Sequence, residues 1–148
     1  LSGEEIERLS TIQLLAPYIH ERQAEIDRYN EDTKADRSMP VNGRNMTNVG
    51  LFRQYINRYV QQHPQIRKDM TMLVRQLQPT EHGLPIELYM FVADVRWAMY
   101  ENIMSDIFDH LLAAIKYFQL EVFEAPASDD IRSLRLSAAE MTTDRGHR

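Results

Sequence analysis

The chain has 148 residues, no cysteine and a net charge of −5. A chain of this length can bury the core of one domain and carry an appendage. Without cysteine, disulfides and thiolate metal sites are excluded, and the acidic balance argues against a nucleic-acid-binding surface. No apolar run approaches the ~18 residues that a membrane helix needs. Because the first residue is Leu, we interpret the chain as a piece of a longer protein.

The first thirty residues are predicted to be helical. Ser2 and Glu5 have the spacing of a capping box, and Pro17 predicts a break between a helix over Leu1–Leu15 and a second helix to about Tyr29. The apolar stripe of the second helix is narrow and its other faces are charged. This pattern is typical of a helical appendage that packs on a larger body. We hypothesise that the two helices stiffen or regulate that body, docking and undocking at little cost.

Polar residues with turn signals separate these helices from the rest of the chain. The segment 31–46 contains the strong turn pair Asn42-Gly43. We therefore divide the chain into a helical insertion and linker (1–38), an α/β domain (39–126) and a polar, mobile tail (127–148). A helix capped by Thr47 or Asn48 is expected to begin the α/β domain and to end near His63.

A β-hairpin is predicted next, with strands Met70–Leu77 and Ile86–Val92 joined by Gln78–Pro85. Alternation assigns one face of each strand to the core, and these residues are Met70, Met72, Val74, Ile86, Leu88, Met90 and Val92. The opposite face is half apolar. A face of this kind is too apolar for free solvent and too charged for a core.

A long amphipathic helix, Trp97–Gln119, and a short strand, Leu120–Glu124, complete the predicted elements. Three- and four-residue steps predict a core stripe made of Trp97, Tyr100, Met104, Ile107, Phe108, Leu111, Ile115 and Phe118. The order α-β-β-α-β predicts an α+β fold, a ferredoxin-like sandwich whose first strand is missing. We expect that strand upstream of Leu1.

Several segments, in order and at the right spacing, resemble one family. They are Thr47–Ile56, Val74–Pro79, Gly83–Pro85, Trp97–Glu101 and Ser105–His110. Together they resemble the miniconductance branch of the small-conductance mechanosensitive channel superfamily, over roughly Pro40 to Pro126. The charged N-terminal helices also resemble an insertion found in that branch.

The resemblance implies a function without catalysis. It implies the cytoplasmic domain of a bacterial inner-membrane channel, in which the subunits form a homo-oligomer, a heptamer, and their domains form a cage below the pore. Membrane tension opens such a channel during osmotic downshock. The domain would contribute to subunit assembly, to solute filtering by the cage and to modulation of gating. The alternative is a free-standing regulatory module of ferredoxin-like fold, which would bind a small ligand between subunits.

The candidate site residues carry no recognisable catalytic chemistry. Asp106 and His110 are four residues apart on one helix face, with Asp109 adjacent. Two ligands are fewer than the three or four that a zinc site normally takes, and the other histidines show no matching pair spacing. Phosphate-binding glycine loops, cysteine nucleophiles and HExxH motifs are also missing from the sequence. We therefore predict no enzyme, no metal and no cofactor. The preferred interpretation is a contact with the next subunit.

The half-apolar sheet face offers a second set of candidates. Arg75, Tyr89, Phe91 and Phe123 could stack RNA bases, but the chain is acidic and lacks the RNA-recognition signature. Aromatic residues and arginine are enriched where protein subunits pack together. We therefore predict no nucleic-acid partner. The predicted subunit interface comprises Arg75, Tyr89, Phe91, Asp106, Asp109, His110 and Phe123.

Overall fold

The computed structural model describes residues 1–125, so the predicted tail at 127–148 lies outside the described residues. The fold of this part is mixed helix and sheet. Its elements are α1 (Gly3–Ser10), α2 (Ala16–Asp32), α3 (Asn48–Gln62), β1 (Leu73–Gln76), β2 (Ile86–Tyr89), α4 (Trp97–Ile115) and a 3₁₀ turn (Lys116–Phe118). Within residues 1–125, no helix combines the length and the apolar character needed to cross a membrane.

Local signals set the starts of the N-terminal helices as predicted, although α1 ends at Ser10 and not near Leu15. The Glu5 N–H donates to Ser2 Oγ over 3.2 Å, and the Ser2 N–H donates to Glu5 Oε2 over 2.6 Å. This reciprocal pair satisfies two N–H groups that the first turn of α1 leaves free. Pro17 lies in the first turn of α2, where its missing N–H costs no hydrogen bond. The capping box and the break between α1 and α2 are therefore confirmed.

Side chains also define both ends of α3. At its start the Gly50 N–H donates to Thr47 Oγ1 over 3.1 Å, which identifies Thr47 as the cap. At its end the ammonium of Lys68 donates to the carbonyls of Val60 and Ile66, each over 2.9 Å, and to that of His63. A positive charge there is favourable because the last carbonyls of a helix carry partial negative charge.

The predicted hairpin forms, with shorter strands than expected. β1 and β2 pair antiparallel, with Val74 opposite Leu88 and Arg75 opposite Glu87. Val74 is buried against α3 while Arg75 is exposed, so the predicted alternation is correct in the paired region. An isolated bridge between Ile66 and Val92 extends the pairing beyond β2. Over residues 1–125 the sheet has two strands and no more.

The predicted strand Leu120–Glu124 does not form. Gln119 has a left-handed backbone conformation with φ +56°, which ends the 3₁₀ turn, and residues 121–125 then run exposed without a strand partner. A strand is stable only when a neighbour satisfies its N–H and C=O groups. Among the described residues no strand pairs with this segment, so its sequence alternation alone does not make it a strand.

The core is one cluster that includes the N-terminal helices. Its buried apolar members are Leu9, Leu15, Ile19, Ile26, Met46, Leu51, Phe52, Ile56, Val60, Ile66, Val74, Val92, Ile103, Ile107, Leu111 and Phe118. The first four come from α1, α2 and the connection between them. Burying a large aliphatic side chain contributes about 1.5–3 kcal/mol, so the burial of these four adds several kcal/mol to the stability of the fold. Part of that burial is contact between α1 and α2, so undocking of the helix pair at little cost, as hypothesised from the narrow stripe, stays a prediction.

The buried side of α4 differs from the predicted stripe. Ile103, Ile107 and Leu111 are buried, whereas Trp97 is 79% exposed and Phe108 is 49% exposed. The prediction of Trp97 and Phe108 as core residues is therefore wrong, while that of Ile107 is confirmed. The cause is the breadth of the apolar surface of α4. A helix that is apolar on more than one side has several acceptable stripes, and periodicity does not choose among them.

Candidate interaction surfaces

The outward face of the hairpin carries three of the predicted interface residues. Arg75 Nε pairs with Glu87 Oε1 at 2.8 Å across the two strands. Tyr89 lies edge-on against Phe91, with ring centroids 5.3 Å apart and an interplanar angle of 87°. Tyr89 and its cross-strand neighbour Leu73 are both exposed. The face therefore holds an apolar half and an ion-paired half, as expected from the alternation.

Phe123 lies apart from the strands, at the turn of the hairpin. Its ring stacks on His82 with centroids 4.6 Å apart, and about half of it stays exposed. Val122 beside it is also exposed. The structure thus places Phe123 near the hairpin through its connecting loop, and not on the sheet face with Tyr89.

His110 contacts α3 and remains exposed on one side. Its ring is parallel to that of Tyr59, with centroids 4.0 Å apart and an interplanar angle of 4°. Its Nε2 lies 2.6 Å from the hydroxyl of Tyr55. Stacking on Tyr59 buries aromatic surface, and the hydrogen bond with Tyr55 fixes the orientation of the imidazole ring. His110 therefore joins α4 to α3 within one chain.

Burial changes the proton affinity of groups around His110. It raises the pKa of Tyr55, and the neighbouring Tyr59 adds to that rise. Burial also raises the pKa of Tyr59, helped by the negative charge of Asp106. Both phenols therefore stay neutral at physiological pH and serve as hydrogen-bonding and stacking groups.

His63, at the end of α3, is also influenced by Asp106. Burial and the positive charge of Lys68 lower the pKa of His63, while Asp106 opposes them. Its Nδ1 accepts the Gln65 N–H over 3.2 Å, which requires an unprotonated nitrogen. Asp106 and Asp109 themselves are exposed. Among residues 1–125, no three histidine, aspartate or glutamate side chains are grouped so that they could hold a metal ion.

A further surface, missed by the sequence analysis, is the outer face of α4. We define it as the exposed side chains Trp97, Tyr100, Phe108 and Leu112, which lie three to eight residues apart along the helix. At about 100° per residue these spacings keep the four within about a third of the helix circumference, so they share one broad side of α4 that adjoins the buried residues. The missed signal is available in the sequence, because α4 contains more large apolar residues than a single buried stripe needs.

No protein-family model matches the chain, and no solved structure matches it.

Proposed function

We propose that the chain is an assembly domain, the cytoplasmic part of a mechanosensitive channel of the inner bacterial membrane. The observation that carries the proposal is the outer face of α4. Four large apolar side chains exposed on one side of a helix are typical of a surface that contacts another protein. The resemblance of the sequence to the miniconductance channels supplies the identity of the assembly, a ring of identical subunits.

The two-stranded sheet supports the same proposal. An isolated hairpin is only marginally stable, and open strand edges pair readily with other strands. In the assembled protein, a strand from outside the described residues would pair with one open edge of the hairpin, and the segment Leu120–Glu124, which is no strand in the single chain, would be recruited to complete a ferredoxin-like sheet. The exposed Val122 and Phe123 would then find apolar neighbours. Tyr89, Phe91 and Arg75 would lie on the face that meets the next subunit or the upstream domain.

The first test concerns association of the 148-residue chain. Sedimentation velocity across a concentration series should show self-association, and the triple variant Trp97→Ser/Phe108→Ser/Leu112→Ser should abolish it. The control is Met39→Ser/Val41→Ser, which removes two exposed apolar side chains from a loop. Monomers at every concentration for the unchanged chain, or equal loss of association in both variants, would argue against an assembly surface on α4.

The second test separates a channel from a free-standing module. The parent gene is sequenced upstream of the Leu1 codon, where a channel subunit would encode several apolar runs of ~20 residues. Giant spheroplasts carrying that gene would then show tension-activated currents, and the triple variant would shift or abolish them. A start codon close to Leu1 would instead favour the regulatory module. That result would remove the channel proposal and leave the association result standing.

A further inference from the structure

We propose that the cavity between the end of α1, the middle of α3 and the end of α4 binds a small organic anion with an aromatic body. The cavity has a volume of about 540 Å³. Sites for small organic ligands commonly have volumes of ~300–1,000 Å³. The proposal does not depend on the channel function, because it uses only contacts within one chain.

The cavity has an apolar floor suited to an aromatic ring. Tyr55 supplies its accessible aromatic surface, and the almost fully buried Phe118 supports that ring from behind, with the two ring centroids 5.5 Å apart. Ile12 forms the α1 side, and the small side chain of Ala114 leaves room on the α4 side. A flat aromatic ligand would bury its faces against these groups, and aromatic pairs add attraction at such separations.

The polar lining selects a negative charge. Arg8 and Lys116 line the cavity, and none of its ten lining residues is acidic, although the chain as a whole carries a net charge of −5. In the part of the chain that the structure describes, neither cation forms an ion pair. Two unpaired cations beside an apolar wall would attract a carboxylate more strongly than they would in open water.

Arg8 and the polar pair of Tyr55 and His110 are held in position by hydrogen bonds. Arg8 Nη1 donates to the carbonyl of Tyr117 over 3.0 Å, which anchors the guanidinium beside the 3₁₀ turn. The hydroxyl of Tyr55 and Nε2 of His110, 2.6 Å apart, form a second polar group in the lining. A guanidinium has five N–H groups, so this bond leaves others available for a ligand carboxylate. A bound aryl carboxylate would therefore connect α1 to the end of α4.

The test uses the 148-residue chain and 1-naphthoate as the probe, measured by isothermal titration calorimetry. The matched ligand is 1-naphthalenemethanol, which keeps the ring and lacks the charge. We expect naphthoate to bind at least about tenfold more tightly than the alcohol, since charged hydrogen bonds exceed neutral ones. Absence of naphthoate binding at millimolar concentration, or equal affinity for the two ligands, would overturn the proposal.

Variants then locate the binding. Lys116→Gln and Arg8→Gln should each weaken naphthoate binding about tenfold and leave the weak affinity for the alcohol unchanged. Arg28→Gln is the control, since Arg28 is an exposed cation on α2 outside the cavity. Ala114→Leu should fill part of the cavity with a larger side chain and weaken the binding of both ligands. Unchanged naphthoate affinity in all three cavity variants, with far-UV circular dichroism showing intact folds, would mean that the ligand binds elsewhere.

Discussion

Two phenylalanines, one in α4 and one in the 3₁₀ turn that follows it, provide a matched test of how this part of the chain packs. Phe118 is 1% exposed and Phe108 is 49% exposed, although the sequence pattern assigned both to the core. The Phe118 ring contacts Phe52, with centroids 5.1 Å apart, as well as Tyr55. Replacing either phenylalanine by alanine removes the same atoms, so any difference in the free energy of unfolding reports their surroundings.

The expected costs differ by more than the error of the measurement. Truncating a buried phenylalanine to alanine costs about 3–5 kcal/mol, because the lost transfer free energy adds to the energy of the cavity left behind. For Phe108 about half of the ring already contacts water and no enclosed cavity forms, so the cost should be about 1 kcal/mol. The difference of about 2–4 kcal/mol is a large fraction of the ~5–15 kcal/mol that stabilise a typical domain.

Urea unfolding, followed by circular dichroism at low protein concentration, measures both variants. If the free energy of unfolding falls by ~2 kcal/mol per molar urea, Phe118→Ala should lower the urea midpoint by ~1.5 M or more, and Phe108→Ala should lower it by ~0.5 M. Equal costs, or a larger cost for Phe108→Ala, would refute the burial pattern of α4. Low concentration matters because Phe108 also belongs to the proposed assembly surface, and association would stabilise the folded chain.

Two more predictions test the loop before α3 and the end of α3. Gly43 has φ +75°, and a Cβ at this position would lie 2.2 Å from Oδ1 of Asn30. The Asn30 side chain holds the loop through two hydrogen bonds: Oδ1 accepts the Arg44 N–H over 2.7 Å, and Nδ2 donates to the Arg44 carbonyl over 3.0 Å. Gly43→Ala should therefore cost about 2–4 kcal/mol in thermal unfolding, from backbone strain and from the lost hydrogen bonds, whereas the control Gly3→Ala should be neutral or stabilising. Because the pKa of His63 is lower in the folded chain, the unfolded chain binds a proton at His63 more tightly. The stability that neutral His63 contributes is therefore complete above pH ~6.5 and is lost as the pH falls through the pKa of the folded state. Unfolding measured between neutral and mildly acidic pH should show this loss, and His63→Asn should flatten it; an unchanged pH dependence would contradict the assignment to His63.

The site was only partly accessible to sequence reasoning. Alternation correctly placed Arg75 and Tyr89 on the outward face of the hairpin, because side chains of a strand alternate whatever the strand packs against. His110 was assigned to a contact with another subunit, and the structure shows that its ring stacks on Tyr59 within the chain. Whether it also meets a neighbouring subunit stays a prediction. The cavity lined by Arg8 and Lys116 was not predicted, because its walls are more than a hundred residues apart in the chain.

Local chemistry is what the sequence by itself determined. The capping box at Ser2, the cap at Thr47, the break at Pro17 and the turn at Gly43 depend on a few neighbouring residues, and each lies where the sequence predicts it. Tertiary structure decided the rest. It chose which of several apolar stripes of α4 is buried, left Leu120–Glu124 outside the sheet and joined the N-terminal helices to one core. The physical reason is that caps and turns are satisfied by groups a few bonds away, whereas burial and strand pairing need partners that only the folded chain supplies.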